Sequence, residues 1–117
     1  MFEGIFSLDH SVKLYVPSTI DADKPAETEK VARAVDTVIE SFSTWFGGAT
    51  TNLAAGGWYS AELHKVIYED IRIVNSFCTL DALEEHYHEV LALAEALKLE
   101  FNQEAISLEC DGKLFII

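Results

Sequence analysis

Residues 65–77 carry the longest strand signal in the chain, alternating with period two, and they follow a Gly-containing run at residues 49–59 through a turn at residues 60–63. Two strands joined so closely form an antiparallel hairpin. Helical apolar stripes lie on both sides of it in the sequence, which points to a mixed α+β domain rather than a β-sandwich or a helix bundle. Within the second strand Ile67, Glu69, Ile71, Ile73, Asn75 and Phe77 point one way, and Val66, Tyr68, Asp70, Arg72, Val74 and Ser76 the other. The first set is expected to face the core. Gly56-Gly57 in the first strand predicts a bulge or a close backbone approach.

Upstream, Lys13-Leu14-Tyr15-Val16 is strand-like and stops at Pro17, with residues 4–8 as an additional edge strand. A helix is expected to open with Asp23 as its cap and Pro25 in its first turn, and to end at Gly47-Gly48. Its stripe is Val31, Val35, Val38, Ile39, Phe42 and Trp45. A second helix, capped by Thr79, carries Leu83, Tyr87, Val90, Leu91, Ala94, Leu97 and Phe101. Residues 105–110 then alternate, and Asp111-Gly112 makes a two-residue turn into residues 113–117. Strand, helix, hairpin, helix, strand is the split βαβ order of a ferredoxin-like α+β sandwich, with two helices on one face of an antiparallel sheet and a C-terminal hairpin. Residues 1–117 form a single domain, residues 1–12 being an extra edge segment. The uncovered face is expected to hold Tyr68, Asp70, Arg72 and Val74, and burying it against a second copy predicts a homodimer.

Against 20 Asp and Glu there are 8 Lys and Arg, a net charge of −12. Such a surface repels phosphate backbones and anionic membranes, so direct nucleic-acid or membrane binding is not expected. No run reaches the ~20 apolar residues of a membrane span. The first residues lack the basic and apolar regions of a signal peptide, and Cys78 and Cys110 make no disulfide framework, so a cytoplasmic chain is expected.

Glu69 stands out chemically, since parity sets it among isoleucines, where an ionised carboxylate requires a partner. A backbone amide or the Trp58 indole would serve structurally, and an acid or base role is the functional alternative. A ligand pocket is drawn from Tyr15, Thr50, Trp58, Glu69, Arg72 and Gln103, with Arg72 as the cationic contact and Gln103-Glu104 closing it or capping backbone groups. Glu85-x-x-His88 matches a metal-ligand spacing, but His86 and His88 diverge by about 200° around a helix, so no metal is expected. Glu84, Glu85, Glu89 and Glu95 instead make a solvated acidic face suited to a partner. No catalytic triad, Cys/His pair or phosphate loop is present, and no cofactor is expected.

Leu14-Tyr15-Val16-Pro17-Ser18-Thr19, Phe46-Gly47-Gly48-Ala49-Thr50, Gly57-Trp58, Glu69 and Gln103-Glu104-Ala105 occur in that order. In this the chain resembles a poorly characterised group of small proteins from bacteria, phages and mobile elements. The resemblance implies a ferredoxin-like domain without established catalytic residues. With the charge, it leads to the expectation of a non-enzymatic acidic protein that inhibits a host defence component by imitating nucleic-acid charge. Two alternatives stand beside it: a protein that sequesters a small anionic nucleotide signal, and a cofactor-less dimeric ferredoxin-like enzyme using Glu69.

Overall fold

A computed structural model of the protein describes residues 1–21 and 24–117. The elements run β1 (His10–Pro17), β2 (Thr19–Ile20), β3 (Lys24–Pro25), α1 (Thr28–Phe46), β4 (Thr50–Ser60), β5 (Lys65–Cys78), α2 (Leu80–Glu100), β6 (Ser107–Cys110) and β7 (Lys113–Ile116). Five strands make one antiparallel sheet in the order β4-β5-β1-β6-β7, and β2 and β3 pair separately. Without β7 this is the ferredoxin-like order, as the sequence predicts. No helix among the described residues is long and apolar enough to cross a membrane.

Local chemistry sets most boundaries. Gly47 ends α1 with φ 96°, and its amide bonds the Ser43 carbonyl. Thr79 caps α2 by accepting from the Ala82 amide at 3.2 Å. At the β6–β7 turn Asp111 and Gly112 both have positive φ, 50° and 80°. Two expectations fail, and a third is decided between its two alternatives. Helix α1 starts at Thr28, beyond Pro25, because the Ala26 amide bonds the Ser18 carbonyl and holds this stretch against β2; the expected cap, Asp23, lies outside the described residues. Residues 1–9 add no strand, while His10 to Val12 belong to β1 at the centre of the sheet. Gly56-Gly57 forms no bulge, since β4 and β5 pair without interruption from Thr50↔Asn75 to Ser60↔Lys65.

The larger correction concerns which side of β5 faces the helices. Residues directly opposed across an antiparallel pair share a face, and the pairs here are Val12↔Ser76, Leu14↔Val74 and Val16↔Arg72. Leu14, Val16 and Val74 are fully buried with Val38 and Phe42 of α1 and Ala94 of α2. The even-numbered set of β5 therefore lies on the helix side. Ile67, Glu69, Ile71 and Ile73 lie on the other. β1 pairs with β5 only as far as Ile71, so the rest of the hairpin runs past the central strand and the molecule extends 51 Å along its longest axis. There Tyr68, although on the helix side, is 80% exposed, and Val66 and Asp70 are exposed with it, as is Arg72 opposite Val16.

Candidate active site

The side of the sheet away from the helices carries a cavity of about 660 Å³. Tyr15 of β1 and Glu69, Ile71 and Ile73 of β5 line its floor, Trp58 of β4 one flank, and residues 103–107 with Ile116 the other. Alternation in the extended strands puts Tyr15, Ile71 and Ile73 on this side together. A hydrogen bond joins the two walls. Ser60, fully buried at the end of β4, donates to Glu104 Oε1 at 2.7 Å and accepts from the Leu63 amide at 3.1 Å. Gly56 helps keep the floor open: a Cβ there would stand 2.9 Å from Ile71 Cδ1.

Glu69 is the chemical centre of this cavity. Burial pushes its carboxyl above the usual carboxylate range, and hydrogen bonds from Thr19, Trp58 and the Ser18 backbone pull it back in part. The Thr19 hydroxyl donates to Glu69 Oε2 at 3.0 Å. Thr19 in turn meets Gln103, whose buried amide donates to the Thr19 carbonyl at 2.8 Å and to the Phe101 carbonyl at 3.2 Å. Tyr15 reaches Glu109 with a long contact of 3.4 Å, and Lys13 pairs with the same carboxylate at 3.3 Å. Among the residues that line the cavity are Glu69 and Glu104 but no Lys or Arg. Its field suits a cation or a neutral polar molecule.

Of the six residues expected in a pocket, Tyr15, Trp58, Glu69 and Gln103 converge here. Arg72 does not. It sits on the helix side, in a cleft between α1 and the hairpin with Asp36 and Asp70, so an anionic ligand loses its cationic contact. Thr50 shares the open side but stands at the start of β4, outside the lining. Glu84, Glu85, Glu89 and Glu95 are exposed along α2, and His86 there bonds Glu89 at 2.8 Å and stacks on Trp45. Sequence reasoning passed over Thr19 and Ser60, which carry no chemical signal of their own and acquire roles from partners 50 and 44 residues away. A second hollow, between α2 and β6–β7, is lined by Val12, Leu83, Tyr87, Val90, Leu91, Phe115 and other apolar groups around Glu84 alone, and lacks convergent polar chemistry.

No protein-family model matches the chain, and no curated protein matches it in sequence. Solved structures do. A phage SAM lyase in complex with S-methyl-5′-thioadenosine aligns over 100% of this chain and 95% of its own, with a TM-score of 0.71 and 21% identity. The fold matches that of a phage lyase. The apo state of a phage SAM lyase aligns over 100% and 94%, with a TM-score of 0.66 and 20% identity. The likeness to a lyase overturns the expectation of a non-enzymatic inhibitor of host defence: the architecture shared from end to end is one that houses catalysis, and charge mimicry by the acidic helix faces is set aside.

Proposed function

We propose that this protein is a small lyase that cleaves SAM, S-adenosylmethionine, in the cavity on the open side of its sheet and releases S-methyl-5′-thioadenosine. The observation that carries the proposal is the cavity itself: an aromatic and apolar chamber with Glu69 at its centre and no cationic lining residue, in a fold that matches a lyase solved with the thioadenosine. SAM is a sulfonium cation. When the bond from sulfur to the γ-carbon of its amino-acid part breaks, both electrons pass to sulfur and a neutral thioether leaves, so no acid has to protonate the leaving group. A lyase step adds no water: as the C–S bond breaks, the carboxylate oxygen of the same amino-acid part bonds to the γ-carbon and closes a lactone, so the electrons balance and no proton has to be moved.

The residues suit those demands. Glu69 and Glu104 favour entry of a cation, while Trp58 and Tyr15 offer aromatic faces to the sulfonium or to the adenine. Ile71 and Ile73 make the floor less polar than water, and a step that disperses a sulfonium's charge is favoured there. Glu69 already accepts a hydrogen bond from the Thr19 hydroxyl, which spreads its charge, so it holds the substrate's polar groups without pinning the sulfonium in its charged ground state. Incubation of the purified protein with SAM, followed by mass spectrometry, should show the thioadenosine and a remainder with the mass of SAM less the thioether. Thioadenosine at background level overturns the proposal; binding without turnover would assign a sequestering protein, and a remainder carrying an added water would assign a hydrolase.

A further inference from the structure

Gln103 leaves one polar atom free. Its amide nitrogen donates to the Thr19 carbonyl at 2.8 Å and to the Phe101 carbonyl at 3.2 Å, which takes both protons and fixes the way the amide faces. The oxygen Oε1 receives no hydrogen bond among the described residues. Nor is it sealed in the core, where the buried polar atoms without a partner are Thr51 Oγ1 and Asn75 Oδ1. Gln103 is only 8% exposed, so the surface that Oε1 keeps belongs to the hollows the residue lines. These are the cavity with Glu69 and an acidic hollow of about 400 Å³ formed with Asp21, Glu62, Asn102 and Glu104. Gln103 and Glu104 are the residues common to both. Glu104 likewise has an oxygen to spare: Oε1 takes the Ser60 proton at 2.7 Å, and Oε2 has no partner among the described residues.

We propose that Gln103 Oε1 and Glu104 Oε2 form a seat for the α-ammonium of the substrate, and so set which end of SAM lies where. The proposal rests on the reading of this cavity as the SAM site. An ammonium carries three N–H donors and no acceptor, so it is held best by oxygens that nothing else occupies, one of them charged. A carboxylate is refused there, because no Lys or Arg lines either hollow among the described residues and Glu62 and Glu104 repel it. The amino-acid part is thus held by its nitrogen where the hollows meet, and the thioadenosine half takes the aromatic chamber of Tyr15 and Trp58. The substrate's carboxylate keeps its lone pairs for the γ-carbon. One pair makes the new C–O bond, the C–S pair goes to sulfur, and the carboxylate and sulfonium charges cancel as the lactone closes.

The test is calorimetry with three ligands that differ in positive charge: SAM, with ammonium and sulfonium; S-adenosylhomocysteine, with the ammonium alone; and S-methyl-5′-thioadenosine, with neither. Glu104→Gln, which keeps an oxygen for Ser60 and turns an NH2 toward the seat, should weaken SAM and S-adenosylhomocysteine each by about tenfold and thioadenosine by less than about twofold. In the wild type the Gln103 side-chain carbonyl carbon should move in NMR spectra on addition of S-adenosylhomocysteine, and far less with thioadenosine. A loss confined to SAM would assign Glu104 to the sulfonium and overturn the seat. Equal losses for all three ligands, no loss for any, or a Gln103 carbon that S-adenosylhomocysteine leaves in place overturn it as well. Failure of the wild type to bind any of the three overturns the seat together with the reading of the cavity. The expected pattern in a protein that cleaves no SAM would refute the assigned reaction and leave the seat standing.

Discussion

The Ser60 hydroxyl, with no exposed surface, donates to Glu104 Oε1 at 2.7 Å and so joins the end of β4 to the loop that precedes β6. That bond closes the cavity wall. Ser60→Ala also removes the acceptor for the Leu63 amide and should cost about 1–3 kcal/mol of stability, read by urea unfolding. Glu104→Gln keeps an oxygen acceptor, so it should unfold nearly like wild type while binding cationic SAM more weakly. Calorimetry should show neutral thioadenosine affected less.

Glu69→Gln should lower kcat/KM by about 100-fold, because the carboxylate that holds the cationic substrate in place is gone, and change the pH dependence of stability. Burial raises the Glu69 carboxyl above its ordinary value in the folded state. Between the unfolded and folded midpoints the native state holds more protons, so stability falls as pH rises through that window. The Gln variant should lack this fall and be more stable than wild type above it. Denaturant titrations from acidic to neutral pH make the comparison, and a wild-type curve that rises through the window would contradict the assignment.

Gly56→Ala places a methyl against the flexible end of Ile71 on the cavity floor. Unfolding free energy should change by less than about 1.5 kcal/mol, because the isoleucine end can turn aside. Thioadenosine affinity should fall by about tenfold as the floor fills, measured by calorimetry. An affinity equal to wild type would move the ligand off this floor.

Beyond the cover of the helices Tyr59, Val66 and Tyr68 make an exposed apolar strip on one face of the hairpin, which Leu53 continues to the edge of the α1 cleft. We expect self-association through it, seen in sedimentation at micromolar concentration as a multiple of 13.0 kDa. Tyr68→Glu should shift the mass toward monomer. A monomeric wild type would contradict the expectation.

The Cys78 thiol is pushed up to about 11, by burial first and then by Asp111 and Cys110, and Cys110 is raised for the same leading reason. Both should react slowly with a disulfide reagent at pH 8 and rapidly once denaturant exposes them.

Much of this protein is legible in its sequence because the relevant physics is local. Alternation in β5 separates its two sides correctly, since successive side chains of an extended strand point in opposite directions. Thr79, Gly47 and Asp111-Gly112 mark boundaries where they stand, because a cap or a turn is completed within a few residues. Glu69 could be singled out as a carboxylate among isoleucines needing partners, and Trp58 and a backbone amide supply two of them.

Which side of β5 the helices would cover was decided only by tertiary pairing. On β5 alone the isoleucine side is the more apolar, yet β1 occupies the centre of the sheet and its fully buried Leu14 and Val16 carry Val74 and Arg72 to the helix side with them. That choice turned the isoleucine side with Glu69 into a cavity floor and moved Arg72 away from it. Thr19, Ser60 and Gln103 gained their roles in the same way, through contacts across 44 to 84 residues of chain. Side-chain alternation is a property of each strand's own backbone, whereas the side that is buried depends on which distant strand it meets and in what register.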